Sequence, residues 1–247
     1  MVGLDIFQKT FKNFKDCYTI IGGAACDILM SEKDMPFRAT KDIDIILILE
    51  DNRDDFATTF WSFIKAGCYK CGWKNNDNMH FYRFTEPSPG FPVQIELFSR
   101  KQNYNLKLDN GIIPIHISDD TSSLSAILLN DDYYNFMIDG RKDIHGLSVL
   151  DAAYLIPFKM YAWLDLTEKK LKGEKVDSRN IKKHKNDVFR LLEIVPMGTK
   201  INLQNLVYEK TKEFLIKIEK EPFDLQQLNS SFSFTEAIKI LKNIYLF

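Results

Sequence analysis

The segment DIDIILIL, residues 42–49, limits this chain more than any other stretch. Ile45 to Leu49 are apolar whichever way each side chain points, which marks a strand in the interior of a sheet. Asp42 and Asp44 stand at its mouth. In a strand, residues i and i+2 point the same way, roughly 6.5–7 Å apart. Two ionised carboxylates so placed repel each other and require a cation or hydrogen-bond donors nearby. A divalent metal meets that requirement, because Mg²⁺ takes a few carboxylates and fills its octahedron with water and phosphate oxygens.

A third carboxylate has the same setting. In VQIELFSR, Glu96 lies between Ile95 and Leu97 in another apolar strand. If that strand pairs beside 42–49, three acids meet in one place. Glu86 is a rival, but TEPSPG reads as a loop. Three carboxylates with two metals suit phosphoryl or nucleotidyl transfer. Upstream, YTIIGGAACDILM reads as a strand, a Gly22-Gly23 turn and the start of a helix. Glycine lets backbone approach a ligand closely, and a helix N-terminus offers N–H groups to phosphate.

The rest divides by texture. Residues 4–15 and Arg53–Ala66 have helical apolar spacing. Tyr69–Trp73, Met79–Phe84, Val93–Phe98 and Ile112–Ile117 read as strands, and Tyr133–Ile138 as a further one. After residue 147 the patterns are long and helical. Ser148 and Asp151 resemble a capping box opening a helix to about Leu171, with a kink expected at Pro157. Asp177 or Ser178 caps the next, with Ile181, His184, Val188 and Leu191 on one face. Two more helices cover roughly 203–219 and 235–246. The expectation is an α+β chain, with a mixed sheet in residues 1–147 and a helical half in 148–247.

Composition excludes some classes. The net charge of −1 gives no global field toward nucleic acid or membrane. From Lys169 to Lys185, however, eight Lys/Arg face Glu174 and Asp177, which reads as a solvated surface or as a patch for phosphate or RNA. No signal peptide or membrane-spanning run is evident, and four cysteines in 247 residues do not make a disulfide framework, so a reducing cytoplasm is expected. Cys68 and Cys71 form C-x-x-C with His80 as the nearest addition, short of a four-ligand zinc site. The 19 Phe and 10 Tyr are expected in the core.

The order of these motifs resembles the nucleotidyltransferase superfamily of DNA polymerase β, and more closely the AbiEii/AbiGii-type toxin nucleotidyltransferases. GGAACDILM…FRATKDIDI is similar to their Gly-Gly-Thr-Ala-Leu…Arg-x-Ser-x-Asp-Ile-Asp block, with Arg38, Thr40, Asp42 and Asp44 in register. IPFKMYAWLDL carries a Lys-x-x-Ala element at Lys159 and Ala162, and KHKNDVFRLL resembles an acidic helical element with Asp187 at its second acid.

The resemblance implies a Mg²⁺- or Mn²⁺-dependent enzyme moving a nucleotide from an NTP to an acceptor hydroxyl. Asp42, Asp44 and Glu96 would be the metal ligands. Gly22, Gly23, Arg38, Thr40 and Lys159 would hold the nucleotide, and Asp187 would orient Lys159. The acceptor would be RNA such as tRNA, or protein, and the partner a cognate antitoxin in a toxin–antitoxin or abortive-infection system. An antibiotic-modifying nucleotidyltransferase and a catalytically silent nucleotide-binding module are the alternatives.

Overall fold

A computed structural model describes residues 1–38, 42–47, 54–76, 79–99, 114–115, 127 and 130–247. Of these, positions 42, 44–47, 54, 71–76, 79–82, 97–99 and 114–115 are described by backbone alone. The chain divides into two compact units. One comprises Met1–Ser31, Met35–Thr121 and Arg141–Leu150; the other comprises Glu32–Asp34, Ser122–Gly140 and Asp151–Phe247. Residues 130–140 go with the helices, and 141–150 go with the sheet.

The first unit runs α1 (Leu4–Phe11), β1 (Tyr18–Ile21), α2 (Gly22–Ser31), β2 (Asp42–Leu47), α3 (Asp54–Ala66), β3 (Lys70–Asn76), β4 (Met79–Thr85), β5 (Gln94–Ser99), β6 (Pro114–Ile115), β7 (Arg141–Ile144) and β8 (Leu147–Leu150). Among the described residues the strands form one mixed sheet in the order β6-β3-β4-β5-β2-β1-β8-β7. Strand β2 is interior, antiparallel to β1 and parallel to β5. Residues 48–49 of the expected strand, and all of Ile112–Ile117 except 114–115, lie outside the described residues.

One face of the centre of the sheet is apolar. Ile43, Ile95 and Phe84 are in register across β2, β5 and β4, and each is 0% exposed. Helix α3 covers this face because its apolar residues recur at helical spacing: Phe56, Phe60, Phe63 and Ile64 are buried. Phe60 meets Phe84 at 5.5 Å between ring centroids, and Phe63 meets Phe11 of α1 at 5.3 Å. Most of the described aromatic side chains in this unit are buried.

The second unit contains α4 (Asp131–Asp139), α5 (Ala152–Leu171), α6 (Ser178–Leu192), α7 (Asn205–Ile218), a 3₁₀ turn at Leu225–Leu228, and α8 (Phe234–Ile244). Two sequence expectations are corrected. Tyr133–Ile138 is helix, not strand. Asn130 caps α4 by accepting from the N–H groups of Asp132 and Tyr133, and Tyr133, Phe136 and Met137 are buried at i, i+3 and i+4. That apolar spacing fits a helix as readily as a strand over so few residues. Ser148 is no cap; it lies in β8, and Asp151 alone caps α5 by accepting from Ala153 N–H at 3.2 Å.

Pro157 lies inside α5, where it cannot donate to the carbonyl of Ala153 four residues earlier. That carbonyl instead accepts from the Tyr245 hydroxyl at 2.7 Å, a bond supplied by the last turn of the chain. Among the described residues no helix is long and apolar enough to cross a membrane.

Candidate functional site

The site of interest in the sheet unit is assembled by three neighbouring strands and one turn. Strand β1 ends at Ile21, and α2 begins at the next residue. Gly22 has φ +68°, a left-handed conformation that glycine adopts without the steric cost of a Cβ. Both glycines are buried and belong to the first turn of α2 rather than preceding it. Their backbone therefore carries N–H groups of a helix start, which lack intrahelical acceptors.

Register then fixes what lies beside this turn. Ile21 pairs with Asp44, and Asp44 pairs with Glu96 on the other side. Asp42 pairs with Gln94. Side chains alternate along a strand, so positions 42, 44, 94 and 96 fall on one face of the sheet. That face is opposite the apolar one bearing Ile43, Ile95 and Phe84. The side chains of Asp42 and Asp44 are not among those described, and Thr40 lies outside the described residues.

Glu96 is only 4% exposed, and its charge is matched locally. Arg83 stands directly across from it in β4. The Arg83 guanidinium donates from Nε at 2.8 Å and approaches with Nη2 at 2.7 Å, both on Oε1. Gln94 Nε2 donates to the same oxygen at 3.0 Å. Among the described residues, Oε2 accepts no hydrogen bond. A buried carboxylate without a partner costs several kcal/mol, and the guanidinium offsets that cost. Arg83 was not singled out in the sequence. The available signal was a lone cation inside the otherwise aromatic run FYRF.

Other expected site residues come from other segments of the chain. Arg38 is half-buried, with its guanidinium carbon 4.9 Å from the centroid of the Phe37 ring. Glu86, the rival third acid, sits in the turn after β4, 63% exposed and paired with Lys70 at 2.6 Å. Lys159 and Asp187 belong to the helical unit. Their side chains are both 0% exposed, with Nζ donating to Oδ2 at 3.1 Å, and Arg190 reaches the other carboxylate oxygen at 3.9 Å. The pairing of α5 with α6 brings these two groups together, 28 residues apart in sequence.

The basic stretch spans the end of α5, the loop and the start of α6. Lys169 pairs with Asp165, Lys172 with Glu168, and Arg179 with Asp177. The Lys172 ammonium beside Glu168 holds its carboxyl below the usual carboxylate range. Lys170 donates to Ser178 Oγ, and Lys185 lies 4.3 Å from the centroid of the Phe223 ring. Asp165 and Glu168 lie just before the segment counted in the sequence, and they offset part of its charge.

Cys68 is exposed, at φ +52°, while the side chains of Cys71 and His80 are not described. Among the described residues no three His, Cys, Asp or Glu side chains gather to hold a metal ion. The acids at 42 and 44 fall outside that statement. As a donor set, two aspartates and a glutamate in adjacent register offer oxygen ligands only, which suits a hard dication.

No protein-family profile matches this sequence, and no curated protein matches it. Several solved structures resemble the chain along most of its length. One is an antigenic nucleotidyltransferase-like protein from Paracoccidioides brasiliensis, with 14% identity, 95% of this chain and 89% of that one covered, and a TM-score of 0.45. Another is JHP933 from Helicobacter pylori, with 14% identity, coverage of 96% and 86%, and a TM-score of 0.41. At these scores neither transfers a residue role or an activity to this chain.

Proposed function

We propose that the sheet unit is the catalytic unit of a metal-dependent nucleotidyltransferase. The observation that carries the reading is the register of Asp44 between Glu96 and Ile21, the residue that leads into the Gly22-Gly23 helix start. Acids on two adjacent parallel strands and the N–H groups of a helix start are complementary to one ligand class, a metal-bound triphosphate. Mg²⁺ or Mn²⁺ held by Asp42, Asp44 and Glu96 would supply charge neutralisation and acidify a hydroxyl.

The chain's own residues have distinct tasks in this reading. The backbone at Gly22 and Gly23 binds phosphate oxygens. A carboxylate among the three accepts the proton of the acceptor hydroxyl. The new bond joins the acceptor oxygen to the α-phosphorus; the bond broken is the α–β anhydride, and pyrophosphate leaves with its electron pair. Arg38 and Thr40, immediately before β2, are assigned to the nucleotide. For the acceptor we favour RNA, because the exposed lysines and arginine between 169 and 185 offer contacts to a phosphate backbone. The toxin role and an antitoxin partner rest on the sequence resemblance.

The test is Asp44→Asn in the full chain, with each labelled NTP, Mg²⁺, and either total RNA or protein lysate as acceptor. Transfer should fall at least 100-fold, the scale of losing one preorganised electrostatic contact. The metal-free Tm should hold or rise, because a carboxylate is removed from a like-charged group. A large fall in Tm would make Asp44 a structural partner and remove the basis of the assignment. Label on protein alone would overturn the RNA acceptor.

A further inference from the structure

Resting on the metal-site reading above, we infer that Arg83 is a positioning residue that turns Glu96 into a one-oxygen metal ligand. The geometry is specific. Three donor nitrogens converge on Oε1: Arg83 Nε at 2.8 Å, Arg83 Nη2 at 2.7 Å, and Gln94 Nε2 at 3.0 Å. None of these donors goes to Oε2. A glutamate carboxylate rotates freely about its last torsion, and that torsion is broad in energy. Gripping one oxygen with three donors removes the rotation and leaves the other oxygen in a single orientation.

The placement is equally specific. Arg83 and Glu96 are directly opposed residues of adjacent strands, the pair separation at which side chains interact most strongly across a sheet. The pair is asymmetric in exposure, with 21% of the Arg83 side chain and 5% of the Glu96 side chain accessible. The acid is thus sealed into the sheet by a cation that itself reaches outward. An ordinary surface pair would have both ends in water and contribute little.

Charge and orientation predict different results when Arg83 is changed. A lysine keeps the charge but cannot present two nitrogens in a planar fork. A glutamine removes the charge and keeps at most one donor. If Arg83 acts by fixing Glu96, its effect must pass through Glu96 and vanish when the carboxylate is gone. A structural role in the sheet has no such dependence.

The experiment measures Mn²⁺ binding to the nucleotide-free full chain by electron paramagnetic resonance, with Tm recorded for every variant. The proteins are wild type, Arg83→Gln, Arg83→Lys, Glu96→Gln and the Arg83→Gln/Glu96→Gln double variant. The expected result is a fivefold or greater loss of Mn²⁺ affinity in Arg83→Gln and a partial recovery in Arg83→Lys. Adding Arg83→Gln to Glu96→Gln should cost nothing further. In transfer assays, Arg83→Gln should lower kcat about tenfold while KM for the NTP changes less than threefold. Wild-type affinity in Arg83→Gln, or an additive loss in the double variant, would overturn the inference. Wild-type affinity in Glu96→Gln would instead overturn the metal-site reading on which it rests.

Discussion

Replacing Lys159 with methionine keeps its length and removes its charge from a site that is 0% exposed. Asp187, also 0% exposed, then loses the ammonium at 3.1 Å, while the Arg190 guanidinium stays 3.9 Å away. Breaking a buried pair by removing one partner costs about 3–5 kcal/mol, because the remaining charge is left uncompensated. For a chain of 247 residues each kcal/mol lowers Tm by about 2–4 °C, so a fall of about 6–20 °C is expected. Removing both charges should cost far less than the sum, since buried pairs are often replaceable by apolar residues of similar volume. The assay is thermal unfolding of Lys159→Met, Asp187→Leu and the double variant, as a cycle. Additive losses, or a Lys159→Met Tm within 2 °C of wild type, would refute the claim that the pair is a mutually dependent buried couple. Transfer activity measured well below each Tm tests Lys159 separately. A loss of 100-fold or more in Lys159→Met with folding intact is the outcome expected of a triphosphate ligand.

Tyr245→Phe should lower stability by about 1–3 kcal/mol in denaturant titration, because it leaves the Ala153 carbonyl, already deprived of a donor by Pro157, without the hydroxyl that satisfies it. Asp143 is hydrogen-bonded by Lys15 and by the Gly146 N–H, and both lower its pKa below the ordinary aspartate value. A group with a depressed folded-state pKa contributes above its unfolded value and loses that contribution as pH falls through the folded one. Asp143→Asn should therefore melt lower than wild type near neutral pH. The two should converge in acid, below the ordinary aspartate range; a difference independent of pH would contradict this.

Several parts of the molecule were legible without coordinates. The strand Tyr18–Ile21, the Gly-Gly helix start, the strand beginning at Asp42 and the strand holding Glu96 are written in local apolar period and glycine placement, which depend on neighbouring residues alone. The carboxylate pattern at 42, 44 and 96 is likewise a property of sequence. Where period was ambiguous, as in the short run Tyr133–Ile138, the side-chain cap at Asn130 and tertiary burial decided for helix. The β7–β8 hairpin was missed because it turns through His145, at φ +51°, and Gly146, and offers only four residues a side.

Tertiary structure alone decided which elements became neighbours. That β5 lies parallel to β2, with Asp44 opposite Glu96, follows from a sheet order that skips over β3 and β4, and no local pattern encodes it. The same order makes β4 the other neighbour of β5 and so sets Arg83 on Glu96. Lys159 meets Asp187 across 28 residues, and Tyr245 meets Ala153 across 92, by the docking of helices whose sequences fix only their apolar faces. The physical reason is one of range. Hydrogen-bonding period and capping act within a few residues and can be read along the chain, whereas the partner of a buried charge is chosen by whichever distant segment closes over it when the apolar faces come together.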